Sequence, residues 1–344
     1  MTTQHQSVTK GPATPVAGTL LDVRGLGISF ATPDATVSVV RDVSFRVAQG
    51  ECVGLVGESG CGKTVTGLAL VGLLPFRSSR FEGQILLDGE DLLSLRESQW
   101  RKRRGRRIGM IFQEPMSALD PVFTIGEQIG ETLRTHFDIG RAEARKRAID
   151  ALDKVGIPEP ATRYNAYPHE LSGGMRQRAM IAMAISCEPS LLIADEPTTA
   201  LDVTVQAQIM DVLAEISARS GMAILFISHD LGLVSQTCSR IVTMYAGEVV
   251  ENGAADDVLV RPRHPYTSGL LRSLPSFTQR KGRLNSISGR VPRPGDFSDG
   301  CRFEERCTHA QPECSRRQVL LPLPDGRLAR CRRSAELDLP GVDT

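Results

Sequence analysis

The residues Gly57-Glu58-Ser59-Gly60-Cys61-Gly62-Lys63-Thr64 decide the fold of this chain. They match the pattern G-x-x-x-x-G-K-[ST], in which backbone amides surround phosphate groups at the N-terminus of a helix. An apolar run of strand length, Cys52–Val56, precedes them, and residues 64–74 follow with the apolar spacing of a buried helix. The motif therefore predicts a phosphate-binding loop, with Lys63 on the β- and γ-phosphates of a nucleotide and Thr64 on Mg²⁺.

Strand-like and helix-like segments alternate along the chain on both sides of this loop. Residues 20–47 alternate apolar and polar side chains between turn residues, which predicts short antiparallel strands. Residues 191–194 and 223–227 are continuous apolar runs, typical of strands buried on both faces of a parallel sheet. Residues 141–155 and 204–219 have the spacing of amphipathic helices. The pattern predicts an α/β fold with right-handed crossover connections.

Length, charge and hydropathy limit what the protein can be. A length of 344 residues predicts two domains. The 41 Lys and Arg residues balance 40 Asp and Glu residues, which argues against a surface built to bind nucleic acid. No apolar stretch reaches the roughly 18–20 residues that a membrane-spanning helix needs, and the polar residues 1–18 lack an apolar signal core. We therefore expect a soluble protein made in the cytoplasm that can dock on a membrane partner.

Two adjacent carboxylates follow the apolar run at residues 191–194. Asp195, at the end of the predicted strand, is placed to hold the hydration shell of Mg²⁺. Glu196, one residue further on, can polarise a water molecule for in-line attack on the γ-phosphate. Acidic pairs after strands are often solvated turn residues, but the position of this pair after a phosphate loop favours a hydrolytic site.

A second glycine-rich segment, Leu171-Ser172-Gly173-Gly174-Met175-Arg176-Gln177, narrows the choice among nucleotide hydrolases. Alone it is a turn that any loop can contain. Together with Gln113, Asp195-Glu196, Thr199-Ala200-Leu201-Asp202 and His229, it resembles the ATP-binding cassette (ABC) family. The resemblance implies a RecA-like core, an antiparallel β subdomain and a helical subdomain that carries the signature. It also implies that two nucleotide domains meet head to tail, so that the Ser-Gly-Gly loop of one closes over the γ-phosphate bound by the other.

The resemblance assigns catalytic roles to individual residues. Gln113 matches the glutamine that contacts Mg²⁺ and the attacking water and responds to the membrane subunits. His229 matches the histidine that contacts the γ-phosphate and orders the catalytic glutamate, which is Glu196 in this sequence.

Other assignments concern the partner subunit and the adenine ring. Ser172, Gly173 and Gly174 match the signature residues that contact the ATP of the partner. Asp202 matches the aspartate that communicates across the dimer. Phe30 is the candidate for the aromatic ring that stacks on adenine, although its strand could equally bury it in the core.

Three further motifs resemble the dipeptide and oligopeptide importer subunits of this family. They are Pro168-His169-Glu170, residues 111–121 around Gln113, and Arg263-His264-Pro265-Tyr266-Thr267. The resemblance covers about residues 20–335 and implies a flexible tail at residues 1–19, a nucleotide-binding domain at residues 20–260 and an importer-type C-terminal domain at residues 261–344.

The function that this resemblance implies is ATP hydrolysis that energises the uptake of dipeptides or oligopeptides. The subunit would lie on the cytoplasmic face of the cell membrane. Its implied partners are a second cassette subunit, as a heterodimer, two transmembrane permease subunits and an extracytoplasmic peptide-binding protein.

Other functions stay open at this point. Importers of nickel or another small solute belong to the same subfamily, and the cassette does not contact the cargo. A non-transport cassette protein usually carries two cassettes or a long coiled-coil insertion, and neither occurs in this sequence. A small-molecule kinase would share the phosphate loop but would not need the Ser-Gly-Gly signature, nor His229 beside a hydrolytic glutamate.

Four of the eight cysteines, Cys301, Cys307, Cys314 and Cys331, cluster in a proline-rich C-terminal segment. Few long apolar runs occur after Val260, so we expect this segment to need a bound cofactor and to pack separately from the cassette. The cysteine spacing of x5, x6 and x16 lacks the close C-x2-4-C pairs of zinc ribbons. The importer resemblance implies a [4Fe-4S] cluster with these four ligands; zinc, and free or disulfide-bonded cysteines, are the alternatives.

A basic run at residues 101–107 contains six Lys or Arg residues among seven. Such a run can bind nucleic acid or anionic lipid. A solvated surface helix near the membrane face is the interpretation that we favour.

Overall fold

The computed structural model describes residues 18–114, 118–198, 202–274 and 287–342. Parts of three segments discussed above lie outside the described residues. They are most of the predicted N-terminal tail, residues 115–117 of the Gln113 segment and residues 199–201 ahead of Asp202. Within the described ranges, no helix is both long and apolar enough to cross a membrane.

Twelve strands and ten helices make up the described part of the chain. The strands are β1 Thr19–Ala31, β2 Thr36–Ala48, β3 Cys52–Val56, β4 Ser79–Leu87, β5 Glu90–Asp91, β6 Ile108–Ile111, β7 Leu191–Asp195, β8 Ala223–Ser228, β9 Arg240–Tyr245, β10 Glu248–Ala254, β11 Leu321–Pro322 and β12 Leu328–Ala329. The helices are α1 Lys63–Leu70, α2 Glu97–Arg103, α3 Ile125–His136, α4 Arg141–Lys154, α5 Pro160–Arg163, α6 Gly173–Ile185, α7 Val203–Ser220, α8 Leu231–Thr237, α9 Ala255–Val260 and α10 Pro265–Arg272.

Two sheets organise these elements. Strands β2, β1, β4 and β5 form an antiparallel sheet in that order, and the other eight form a mixed sheet in the order β11-β12-β10-β9-β3-β8-β7-β6. The neighbours β9, β3, β8, β7 and β6 run parallel. The carboxyl ends of β3 and β7 therefore lie at one edge of the sheet, which brings the phosphate loop next to Asp195. The predicted α/β class is confirmed.

The strands predicted from continuous apolar runs form the middle of the mixed sheet. Every residue of β7 and β8 is buried. Leu192 and Ile224 face a core shared with helices that include α6 and α7, whereas Leu191 and Leu225 face a second core shared with α1 and the antiparallel sheet. Because both faces of these strands are covered, their sequences show no polar alternation.

Two predicted elements differ from the observed ones. Residues 20–47 lie in two strands of 13 residues, β1 and β2, because bulges such as the one between Val23 and Leu26 absorb the irregular positions. Helix α1 ends at Leu70, short of the predicted end at residue 74. Gly72 has a left-handed φ of 62° and lies against the indole of Trp100, so the helix stops before it.

The C-terminal segment is joined to the cassette, contrary to the expectation that it packs separately. Its short strand β12 pairs antiparallel with β10, with Ala329 opposite Glu251, and so extends the mixed sheet. Tyr245 of the cassette forms an aromatic cluster with Tyr266 and Phe303 of the C-terminal segment, with ring centroids 4.6, 5.1 and 5.4 Å apart. The segment therefore buries Tyr266 and Phe303 in a cluster that it shares with the cassette.

The basic run at residues 101–107 is only partly helical, because α2 ends at Arg103. Several of its side chains form ion pairs with acidic neighbours. These pairs are Arg103–Glu90, Arg104–Glu97 and Arg107–Asp88. The pairing neutralises much of the charge of the run, which favours a solvated surface over a polyanion-binding one.

Candidate active site

The phosphate loop joins β3 to α1 and folds around the ammonium group of Lys63. Lys63 Nζ donates hydrogen bonds to the carbonyl oxygens of Gly57, at 2.7 Å, and Glu58, at 3.1 Å. Gly62, at the N-terminus of α1, has a left-handed φ of 98°, and a Cβ on Gly57 would lie 2.2 Å from the carbonyl oxygen of Met244. Both positions therefore require glycine. A bound phosphate group would replace the loop carbonyls as the acceptor for Lys63.

The parallel sheet brings two of the predicted magnesium ligands together. Thr64 Oγ1 donates a hydrogen bond to Asp195 Oδ1 at 3.3 Å. Burial raises the pKa of Asp195 to about 6; the Thr64 hydrogen bond and the charge of Lys63 oppose the rise, and the charge of Glu196 adds to it. A buried carboxylate beside a hydroxyl fits a hard divalent cation, whose charge would favour the ionised carboxylate.

Glu196 is held between two residues that lie far from it in sequence. Gln113 Nε2 donates a hydrogen bond to Glu196 Oε2 at 3.2 Å, and His229 Nδ1 lies 3.1 Å from Glu196 Oε1. The backbone of Glu196 has a left-handed φ of 46°, and its N–H donates to the carbonyl oxygen of Ile227. For a non-glycine residue this conformation costs about 1–3 kcal/mol and is concentrated at active sites. The three side chains form a group that can position and deprotonate a water molecule.

The signature residues lie on the surface at a helix N-terminus. Ser172 caps α6 by accepting a hydrogen bond from the N–H of Met175 at 3.4 Å, and both Ser172 and Gly173 are exposed. Asp202 is also exposed and caps α7, accepting a hydrogen bond from the N–H of Val205 at 3.0 Å. Exposed amides at a helix N-terminus can bind a phosphate group that another subunit presents.

The candidate adenine-stacking residue, Phe30, lies near the end of β1. It is half-buried and packs against the core that the antiparallel sheet shares with α1. Part of the ring packs in this core and part is accessible, so the ring position is compatible with burial in the core and with stacking on adenine. Its contact with adenine stays a prediction.

The four C-terminal cysteines are all half-buried. The N–H of Cys301 donates a hydrogen bond to the carbonyl oxygen of Cys314 at 2.8 Å. Burial, with the nearby thiols of Cys314, Cys307 and Cys331 adding to it, raises the pKa of Cys301 to about 12. Thiolates are favoured at such a site only beside a cationic partner such as a metal.

A single metal ion does not fit the observed positions of these cysteines. Among the described residues, no three His, Cys, Asp or Glu side chains converge closely enough to hold one ion. A tetrahedral zinc site requires such convergence, because each sulfur ligand lies about 2.3 Å from the same ion.

Two residues that the sequence analysis did not assign to the site contact the phosphate loop. Tyr266 Oη accepts a hydrogen bond from the N–H of Glu58 at 2.8 Å, and Arg306 binds the Glu58 carboxylate through both terminal nitrogens, at 2.7 and 3.0 Å. Tyr266 lies in one of the importer-like motifs, a signal that could have identified it. Arg306 lies in none of the motifs that the sequence analysis singled out.

The chain is similar to proteins of known families. Residues 40–199 match the family described as ABC transporter, and residues 250–314 match the family described as oligopeptide/dipeptide transporter, C-terminal region. The chain is 50% identical to a putative peptide import ATP-binding protein of Brucella abortus, over 91% of this chain and 94% of the relative. It is 47% identical to the dipeptide transport ATP-binding protein DppD of Escherichia coli, over 91% of this chain and 96% of the relative. A dimeric, post-hydrolysis structure of an ATP-binding cassette bound to ADP and phosphate matches 68% of this chain and 98% of its own, with a TM-score of 0.62 at 26% identity.

Proposed function

The chain belongs to the ABC transporter family of ATPases, and we propose that it is the subunit that hydrolyses ATP to drive the import of dipeptides and oligopeptides. The observation that carries the catalytic part is the placement of Glu196 between Gln113 and His229, beside the Thr64–Asp195 pair. The peptide cargo is supported by the C-terminal match to oligopeptide and dipeptide transporters and by the names of the two relatives.

The phosphate loop and the residues next to it bind the nucleotide. Lys63 and the loop amides bind the β- and γ-phosphates, while the ring of Phe30 stacks on adenine. Thr64, Asp195 and Gln113 would hold Mg²⁺, which would supply positive charge next to the phosphates.

Glu196 is the general base in this proposal. Its carboxylate accepts a proton from the attacking water, while Gln113 holds Oε2 and His229 lies at Oε1. His229 also contacts the γ-phosphate, so the same residue orients the base and the group that is attacked. This double contact favours the in-line arrangement that phosphoryl transfer to water requires.

One chain holds only half of each complete site. Ser172, Gly173 and Gly174 close over the ATP of a second, related cassette subunit, and Asp202 lies at that interface. The exposure of Ser172, Gly173 and Asp202 and the dimeric form of the solved cassette support this arrangement. Two membrane permeases dock near Gln113 on the cytoplasmic face of the membrane, and an extracytoplasmic peptide-binding protein delivers the cargo. No nucleic acid takes part.

A [4Fe-4S] cluster bound by Cys301, Cys307, Cys314 and Cys331 is the second element of the proposal. Four thiolates are the usual ligand set of such a cluster, and Cys301, Cys307, Cys314 and Cys331 would supply them. Its role is structural, within a C-terminal domain at residues 261–344 that follows a nucleotide-binding domain at residues 20–260. Zinc is the alternative.

Purification of the whole complex tests the cargo. The binding protein that accompanies the membrane subunits is expected to carry a dipeptide or an oligopeptide, which mass spectrometry would identify. Nickel or another small solute in its place would contradict the peptide assignment and leave the ATPase assignment untouched.

A further inference from the structure

We propose that Arg306 and Tyr266 position the phosphate loop through Glu58, so that the C-terminal segment sets the ATP affinity of the site. Neither residue belongs to the nucleotide-binding motifs, yet both contact the loop directly. The inference rests on the proposed role of residues 57–64 in binding phosphate.

Arg306 holds the side chain of Glu58 in a two-point ion pair. Its terminal nitrogens lie 2.7 and 3.0 Å from the two carboxylate oxygens. The side chain of Arg306 is 5% exposed and that of Glu58 is 31% exposed. A bidentate pair that is largely shielded from water fixes the plane of the carboxylate as well as its position, which a single-point contact does not.

The guanidinium group is itself held by several contacts. Arg306 Nε donates a hydrogen bond to the carbonyl oxygen of Ser288 at 2.8 Å, and a terminal nitrogen donates to Tyr245 Oη at 3.3 Å. The ring centroids of Tyr245 and Phe303 lie 5.6 and 5.9 Å from its central carbon. Arg306 is thus a charged, preorganised anchor for the loop.

Tyr266 holds the backbone of the same loop residue. Its hydroxyl, on a fully buried side chain, accepts a hydrogen bond from the N–H of Glu58 at 2.8 Å. The carbonyl oxygen of Glu58 accepts a hydrogen bond from Lys63 Nζ at 3.1 Å. Glu58 is therefore restrained at its carboxylate, its N–H and its carbonyl group, directly after the first glycine of the loop. Because the loop is already restrained, it has less conformational freedom to lose when phosphate binds, and the entropic cost of binding is smaller.

The charge of Glu58 gives the ion pair a second effect. An unpaired carboxylate in the phosphate loop would repel the phosphates of the nucleotide, and this repulsion is strongest where water is partly excluded. Arg306 neutralises that carboxylate. Loss of Arg306 should therefore weaken nucleotide binding through a looser loop and through an uncompensated negative charge. Loss of both charged groups should leave only the first effect.

The same contact links the loop to the group of four cysteines. Arg306 ends the short 3-10 turn Glu304–Arg306, and Cys307 follows it directly. The N–H of Arg306 donates to the carbonyl oxygen of Phe303, and the N–H of Cys307 donates to that of Glu304. A displacement of Cys307 would therefore move the turn that carries the guanidinium group.

Equilibrium titration of the full-length protein with MgATP tests the proposal, with thermal melting as the check on folding. Arg306→Met should raise the dissociation constant about tenfold or more, and Arg306→Lys, which keeps the charge but loses the two-point contact, should raise it less. Tyr266→Phe, which keeps the ring, should raise it by about threefold to tenfold. Glu58→Gln combined with Arg306→Met should bind ATP more tightly than Arg306→Met alone.

The matched control is Arg263→Met, because Arg263 forms an ion pair in the same segment with Asp325, at 3.1 Å, and not with the loop. It should leave the dissociation constant unchanged. An Arg306→Met protein that melts normally and binds ATP with wild-type affinity would overturn the proposal. If that variant does not fold, a folded Tyr266→Phe protein with wild-type affinity would overturn it instead.

Lys63→Ala separates this inference from the assignment on which it rests. Wild-type affinity in Lys63→Ala would overturn the phosphate loop itself. Loss of binding in Lys63→Ala, together with unchanged binding in folded Arg306→Met, would overturn only the positioning role.

Discussion

His229 Nδ1 lies 3.1 Å from one carboxylate oxygen of Glu196, and the other oxygen accepts a hydrogen bond from Gln113. The two contacts come from segments that follow different strands of the mixed sheet, β8 for His229 and β6 for Gln113. The orientation of Glu196 therefore depends on the register of the whole parallel sheet and not on the segment around Glu196 alone.

Glu196→Gln should retain ATP binding and lower turnover by about 10²–10⁴-fold, because the amide cannot accept a proton from the attacking water. Phosphate release by the assembled complex, with the site of the partner subunit also disabled, measures the effect. A closed, ATP-bound dimer should accumulate. Glu188→Gln, at an exposed carboxylate paired with Lys154, is the control. Near-normal hydrolysis by Glu196→Gln would rule out its role as the base.

Lys63→Ala should weaken the binding of MgATP by about tenfold or more, since the loop loses its charged hydrogen-bond donor to the phosphates. Equilibrium titration measures the dissociation constant. Lys154→Ala removes an exposed lysine elsewhere and should have no effect. Equal affinity of the Lys63→Ala and wild-type proteins would contradict the assignment of the loop.

The isolated subunit should hydrolyse ATP slowly, because in the proposed arrangement Ser172 and Gly173 complete the site of another subunit. ATPase activity should rise with protein concentration, or on addition of the partner cassette and membrane subunits, in parallel with association measured by sedimentation. Full activity from a strictly monomeric protein would show that one chain holds a complete site.

Protein purified without oxygen should be brown, absorb broadly at about 400 nm and contain about four irons per chain. Cys307→Ser should bleach the colour and make the C-terminal segment sensitive to protease. It should also weaken ATP binding, because Arg306 precedes Cys307 and the segment does not pack separately. Cys187→Ser, at a buried cysteine in another core, is the control and should leave the colour unchanged. A colourless anaerobic protein with one zinc ion would refute the cluster.

The buried imidazole of His264 makes the fold sensitive to acid. Its Nδ1 accepts a hydrogen bond from the N–H of Tyr266 at 3.1 Å, and burial, with the nearby charge of Arg330, lowers the pKa of His264 from 6.5 to about 3. The unfolded chain therefore binds the proton more tightly than the folded chain. Stability from this group is fully present above pH 6.5 and is lost as the pH falls towards 3. At about pH 5 the loss amounts to about 2 kcal/mol.

His264→Asn tests this dependence, because asparagine keeps an acceptor for the N–H of Tyr266 but does not titrate. Urea unfolding measures the free energy of unfolding at about pH 7 and about pH 5. This free energy should decrease between the two pH values in the wild type, and the decrease should be about 2 kcal/mol smaller in the variant. His169→Asn, at an exposed histidine, should behave as the wild type. An equal decrease in all three proteins would contradict the role of His264.

The parts of the site that follow short-range rules could be predicted from the sequence. The spacing from Gly57 to Thr64 depends on local strand-loop-helix geometry, and a sequence pattern records it. The carboxylates of Asp195 and Glu196 likewise follow directly after an apolar run of strand length. The contacts of Glu196 with Gln113 and His229 could be expected only from the family resemblance. They join segments far apart in the chain, and no local pattern encodes their distance.

The contacts between the C-terminal segment and the cassette could not be predicted in the same way. Arg306 meets Glu58 across 248 residues of sequence. Strand β12 has only two residues, Leu328 and Ala329, too few for any alternation to appear. The sequence shows that few long apolar runs occur after Val260. It does not show that large side chains of this segment are buried against Tyr245 of the cassette.

The pairing of β12 with β10 also affects the chain while it is being made. In the finished sheet, β10 has β9 on one side and β12 on the other. Synthesis proceeds from the N-terminus, so β10 emerges well before β12, and until then one side of β10 is an open edge on which strands of other molecules can add. In the complete protein the C-terminal segment thus covers this edge of β10 at Glu251 and Asn252. A nascent chain, or one cut by a protease ahead of Leu328, would expose the edge that the complete protein covers.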